Sequence, residues 1–226
     1  MPPTPYYEKD GIVIYLGDCR DVLPTLAPVD LVLTDPPYGK VNRASSGLRS
    51  LNKGDADTTT MTPDEIASAL IPVVGGSVYV WCGTEQVSGI RAAFVASKMS
   101  TRLGIWEKTN PSPMNGEYLW LSGLEACVYG KRPRATFTEF CKSPIWRGPT
   151  TEVDTTGDHQ TPKPEWLMRR LIQASSNPGD MVLDPFMGSG TTLRAAADLG
   201  RRAIGIEINE DYCKIAVERL RQGVLL

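Results

Sequence analysis

The chain is poor in histidine, in paired cysteines, in positive charge and in long apolar runs, and each scarcity narrows what it does. A single histidine, His159, stands in 226 residues. The five cysteines, Cys19, Cys82, Cys127, Cys141 and Cys213, are odd in number and contain no CxxC pair. A dedicated zinc site and a disulfide framework are therefore not expected, and reduced thiols fit a cytoplasmic protein. The opening "MPPTPYYEKDG" has neither a basic start nor an apolar core, so it does not read as a signal peptide. No uninterrupted apolar run reaches the ~20 residues that span a bilayer. The net charge of −2 argues against a small module that wraps nucleic acid, though it leaves room for a local basic face. What is present, 41% apolar and 22% charged residues, suits one domain with a proper core.

Short apolar stretches alternate with helical periodicity. Strands are expected at "GIVIYLGD", "VDLVLTDPP", "GSVYVWCG", "TRLGIWEK", "LEACVYGK", "MVLDPF" and "RRAIGIEI". Helices are expected at "TPDEIASALI", where Thr62 and Glu65 have capping-box spacing and Pro63 takes the first helical position. Others follow from the Val87, Ile90, Phe94 stripe, from "EWLMRRLIQAS", from "TTLRAAADLG" and from "NEDYCKIAVERL" with Asn209 as its cap. Such alternation predicts an α/β fold, a doubly wound, mostly parallel sheet with helices on both faces. Two stretches do not fit: a polar loop over 39–61 and a cation-rich one over 131–158. Loops of that length in a compact domain are functional or disordered. We expect one domain over 1–226, with 159–226 as a ligand-binding half.

"LDPFMGSGTT" places Asp184 at a strand end and Gly188 and Gly190 in a tight corner before a helix. The corner lacks the lysine of a P-loop and the third glycine of a dinucleotide fingerprint, where Leu193 stands instead. An acid at the strand end would repel phosphate. S-adenosylmethionine suits it better, its ammonium meeting Asp184 and its carboxylate the helix start. Glu207 ends the next strand, where an acid receives ribose hydroxyls.

"DPPY", Asp35 to Tyr38, follows another strand. Two prolines remove two N–H donors and fix the backbone direction, while Asp35 adds a carboxylate. The corner is rich in acceptors and short of donors, so it suits an amino group. Tyr38 offers a face on which a heterocycle stacks. An exocyclic amine of adenine or cytosine is a poor nucleophile because its lone pair is delocalised. Acceptance of its two hydrogens by Asp35 and the Pro36 carbonyl favours a pyramidal nitrogen that attacks an adjacent sulfonium methyl. A base in a duplex must be flipped out to arrive there. Alone, "DPPY" reads more readily as a strand-end turn, and it is the methyl-donor site on the same sheet edge that favours the catalytic reading.

Together these stretches resemble the amino-methyltransferases of DNA, which make N6-methyladenine or N4-methylcytosine. "DPPY" precedes "DPFMGSGTT", and that order is similar to the permuted beta group. "HQTPKPEWLMRRLI" and "GDCRDVL" resemble the segments that lead into the cofactor half and reach the cofactor adenine. The resemblance runs from about Gly11 to Leu220 and implies a Rossmann-like methyltransferase fold. It implies that Asp35, Pro36, Pro37 and Tyr38 carry the target amine. Asp184, Phe186, Gly188, Gly190, Thr191 and Glu207 would form the cofactor wall, with Asp18 and Cys19 near the adenine and His159 and Lys163 near the methionine end. The family often reads "HPTQKP"; here Gln160 and Pro162 have exchanged places. An acid rather than a serine before "PPY" leans toward adenine N6. A homodimer on double-stranded DNA is implied, with a restriction endonuclease as a further partner.

Arg43, Arg49 and Lys53 in the first loop, and Lys131, Arg132, Arg134, Lys142 and Arg147 in the second, alternate with Phe137, Phe140 and Trp146. Cations interleaved with aromatics suit a DNA-tracking surface. Rival readings are an N4-cytosine enzyme, a protein-glutamine or RNA methyltransferase, a nicotinamide dehydrogenase, and an inactive DNA-binding relative. Protein and RNA enzymes usually show Asn at the place of Asp35 and put the cofactor motif first.

Overall fold

The computed structural model describes residues 3–37, 61–111, 120–150 and 163–222. Among the described residues nine strands form one sheet: β1 (Tyr7–Lys9), β2 (Ile12–Leu16), β3 (Val29–Thr34), β4 (Val74–Cys82), β5 (Ser100–Lys108), β6 (Leu124–Lys131), β7 (Ile145–Gly148), β8 (Met181–Asp184) and β9 (Arg202–Glu207). The helices are α1 (Cys19–Val22), α2 (Pro63–Leu70), α3 (Val87–Ala96), α4 (Glu165–Ser175), α5 (Thr191–Asp198) and α6 (Glu210–Arg221). Across the sheet the order is β1-β2-β9-β8-β3-β4-β6-β5-β7. The five central strands, β2, β9, β8, β3 and β4, are parallel neighbours. Only β1 and β6 run against them. None of the helices among the described residues is long and apolar enough to cross a membrane.

The alternation of side chains along each strand builds two cores. Leu31 and Leu33 face a layer that includes Leu167, Leu171 and Ile172 of α4, Leu193 of α5 and Ala216 of α6. Val32 between them faces Ile66 and Leu70 of α2 and Ile90 and Phe94 of α3. Each fully buried Leu or Ile contributes about 1.5–3 kcal/mol, against about 1 kcal/mol for a good cap, so buried faces decide where the helices lie. The caps then set their ends. Thr62 accepts from the Glu65 N–H while Glu65 reaches back to the Thr62 N–H, the reciprocal box expected from the sequence.

Two strands were not foreseen. The three-residue β1 is half-buried at best. The four-residue β7, flanked by Pro144 and Pro149, lies inside the stretch read as a continuous loop over 131–158. Trp146 holds it in place. Its ring lies over Gly104, where a β-carbon would come within 2.4 Å of it.

The chain runs from β8 through α5 to β9 on one side, and from β3 through α2 to β4 on the other. Winding direction therefore reverses between β8 and β3. A crevice opens outside the carboxyl ends of such strands, and ligands of this fold class bind there.

Candidate active site

Asp184 and Asp35 sit at the two lips of that crevice. Thr34, the last residue of β3, donates its hydroxyl to Asp184 Oδ1 at 2.8 Å, so the strand ends of the two motifs are tied directly. The carboxyl ends of β2 and β9 are joined alongside, where the Gly17 N–H donates to the Glu207 carbonyl.

Asp35 follows with Pro36, which is buried, and Pro37, whose carbonyl accepts the Met61 N–H. Asp35 Oδ1 is buried and has no donor among the described residues. The other oxygen, Oδ2, accepts a hydrogen bond from the Lys163 ammonium. Lys163 stands just before α4 and is 11% exposed. It also lies 3.1 Å from Glu125 Oε2 on β6, an ion-pair contact not aligned as a hydrogen bond. Its ammonium hangs 5.5 Å from the Trp81 ring centroid. Lys108 at the end of β5 meets the other Glu125 oxygen at 2.6 Å. Burial alone would push the Glu125 carboxyl up, but Lys163 and Lys108 together outweigh it and hold it below the usual range.

The glycine corner lies on the β8 side. Gly188 and Gly190 have φ of +51° and +80°, a region that side chains rarely occupy. The Gly188 N–H donates to Glu207 Oε2 at 3.0 Å, and the Asn209 N–H donates to Oε1 at 2.8 Å. Glu207 thus fastens the corner to β9. Asp184 is 4% exposed, and desolvation pushes its carboxyl up to about 6 against the pull of the Thr192 and Thr34 hydroxyls and the Phe186 N–H. Asp18 caps α1, accepting from the Arg20 N–H. Cys19 behind it is buried, and burial pushes its thiol up to about 12. Phe186 is half-buried, and the Thr191 hydroxyl accepts from Arg219 at 2.6 Å.

The set fits S-adenosylmethionine on one observation in particular. A β-carbon built at Gly188 meets nothing within 4 Å, so the corner is open where a ligand must approach. Glu207 accepts from the Gly188 N–H at that corner, and a cation beside the buried Asp184 would offset the desolvation of its carboxylate.

Tyr38, Arg43, Arg49, Lys53 and His159 lie outside the described residues. Lys163, which the resemblance sets near the methionine end of the cofactor, brings its ammonium to Asp35. The second basic loop does not form one surface, which corrects the grouping made from sequence. β6 runs against the central strands, so Lys131, Arg132 and Arg134 emerge at the sheet edge opposite Asp35. Arg132 donates to the carbonyls of Val74, Ser97 and Ile71 there. Lys142 pairs with Glu139, which also binds Arg170 of α4. Arg147, on β7, pairs with Glu107 at the same edge as Asp35 and is 72% exposed. Glu125, Lys108 and Trp81 were missed. The available signal was a charged residue inside each apolar strand end, "LEACV" and "IWEK".

Fold and crevice define a Rossmann-like enzyme that has two acid-bearing corners at one switch point. Comparison with known proteins supplies the family. A family model described as DNA methylase matches residues 103–218. The DNA adenine methyltransferase YhdJ of Escherichia coli (strain K12) is 51% identical, covering 96% of this chain and 85% of the relative. The type II methyltransferase M2.LlaDCHI of Lactococcus lactis subsp. cremoris is 29% identical over 97% of this chain and 93% of its own length. Among solved structures, the M1.HpyAVI–SAM complex aligns with a TM-score of 0.73 at 27% identity, over 92% of this chain and 98% of that one. The chain belongs to the N6/N4 family of DNA methylases.

Proposed function

We propose that this enzyme methylates the N6 amine of adenine in double-stranded DNA, with S-adenosylmethionine as methyl donor. The observation that carries the reading is the Thr34–Asp184 bridge, which sets the acceptor-rich proline corner beside the open glycine corner. The 51% identity to a relative named as a DNA adenine methyltransferase favours adenine over cytosine.

When bound, the cofactor supplies an electrophilic methyl. Asp184 would hold its ammonium and Glu207 its ribose, Asp18 and Cys19 would bound the adenine side, and Phe186, Gly188, Gly190 and Thr191 would line the wall. The chain's own work is done on the amine. Asp35 Oδ1 accepts one hydrogen of the extruded base and the Pro36 carbonyl the other, with Tyr38 stacked on the ring. The nitrogen lone pair is thereby localised and aimed, and the acceptors stand where positive charge develops. Asp35 is also nearest to the proton the nitrogen must shed. No covalent enzyme intermediate is required.

DNA lies along the Asp35 edge, over Arg147 and the fully exposed Trp120 just before β6, with the segment over 39–61 as a recognition loop. The enzyme works as a cytoplasmic homodimer, alongside a restriction endonuclease of matching site. The test is transfer of a labelled methyl to unmethylated plasmid, followed by nucleoside analysis. Label in N6-methyladenine is expected, and Asp35→Ala should reduce it at least a thousandfold while cofactor affinity stays within threefold. Label in N4-methylcytosine, or full activity in D35A, would overturn the reading.

A further inference from the structure

Four side chains of alternating charge run inward from the proline corner: Asp35, Lys163, Glu125 and Lys108. They come from four separate stretches of chain, the ends of β3 and β5, the start of β6 and the approach to α4, and Lys163, Lys108 and Glu125 are 11%, 16% and 22% exposed. Two indole rings floor the row, Trp81 under Lys163 and Trp106 under Lys108. A solvated surface pair would not need such a floor. Desolvated ammonium groups over aromatic rings are held in place.

The row poses a conflict at Asp35. Methyl transfer leaves positive charge on the amine nitrogen, and Asp35 must attract it. An ammonium already on Asp35 competes for the same carboxylate. Left to itself, Lys163 would weaken the acceptor on which the amine depends. Two features limit the damage. Lys163 engages Oδ2, which leaves the buried Oδ1 without a donor among the described residues. Glu125 stands on the other side of Lys163 and divides its charge. Lys108 in turn fixes Glu125 and keeps it ionised.

We propose that Glu125 is a positioning residue for methyl transfer, acting through Lys163: it draws part of that ammonium's charge from Asp35 and pins it to one carboxylate oxygen. The inference rests on Asp35 as the amine acceptor. Trp81 and Lys108 support the same arrangement without touching the substrate.

The experiment is a double-mutant cycle on the full chain, read as single-turnover methylation of plasmid DNA, which stays measurable for slow variants. Glu125→Gln keeps the shape and removes the charge. Its rate is expected to fall at least tenfold, with the KM for S-adenosylmethionine and for DNA within twofold of wild type. In a Lys163→Met background the same change should have no effect beyond twofold, because the group through which Glu125 acts is gone. Glu125→Asp, which retains the charge, should recover to within threefold of wild type. A wild-type rate in E125Q, or an equal loss in both backgrounds, would overturn the proposal. Should E125Q fail to fold in a thermal melt, Lys108→Met takes its place. It should slow transfer at least threefold in the wild-type background and not in the K163M background, and any other result counts against the proposal. Asp35→Ala, run in parallel, separates the two levels. An active D35A defeats the reading of the site itself, whereas an inert D35A with an unimpaired E125Q defeats only the role of Glu125.

Discussion

Asp184 is a carboxyl group placed where its charge is unwelcome until something positive joins it. Burial pushes it up to about 6, so near neutral pH the folded chain binds its proton more tightly than the unfolded chain does. The sign follows. This residue's contribution to stability is fully present below its ordinary value of about 4 and is lost as pH rises through about 6. Binding of an ammonium reverses the preference, since only the ionised carboxylate attracts it. Affinity for S-adenosylmethionine, measured by calorimetry, should therefore rise by about tenfold in all between pH 5 and pH 7. Asp184→Asn should bind more weakly and lose that slope. The acid itself was legible in the sequence because it ends an apolar strand just before two glycines. Its proton affinity was not, because that depends on Thr34 and Thr192 arriving from elsewhere in the fold.

At the level of elements, the two glycines of one motif serve different ends. A β-carbon on Gly190 would lie 2.8 Å from that of Ala216, so this glycine lets α5 approach α6. A β-carbon on Gly188 would meet only open space. Gly190→Ala should therefore cost several kcal/mol, the sum of a strained φ at about 1–3 kcal/mol and displacement of a packed helix. Gly188→Ala should cost about 1–2 kcal/mol from its φ alone, but should weaken cofactor binding at least tenfold. Urea melts and cofactor titrations on both variants distinguish the two. Spacing in the sequence treats the pair as equivalent, since it carries no direction for a β-carbon. The same limit hid β7. Four residues between prolines carry too little periodicity, and what makes them a strand is the fit of Trp146 over Gly104. Longer elements were readable because their buried faces and caps repeat one message, as in α2 with its reciprocal box.

Across the whole molecule, the sheet has a working edge and a structural edge. The eight residues of β6 carry the chain from the first to the second, from Glu125 beside the crevice to Lys131 at the far side. Charge counting along the sequence could not register that reversal, so cations of both edges were read as one surface. Arg132 fastens three carbonyls at the far edge. Arg132→Ala should destabilise the fold by about 1–3 kcal/mol in urea and leave DNA affinity and its salt slope unchanged. Arg147→Ala should do the converse, weakening DNA binding and flattening the salt slope by about one unit with little change in stability. A further consequence lies in the β3–β8 seam, where residues separated by 150 positions share a hydrogen bond. On the ribosome, β3 emerges early and must wait, its inner flank uncovered, until β8 arrives to close it. The crevice is therefore among the last features to assemble, and a truncated nascent chain holds the proline corner without the neighbour that makes it useful.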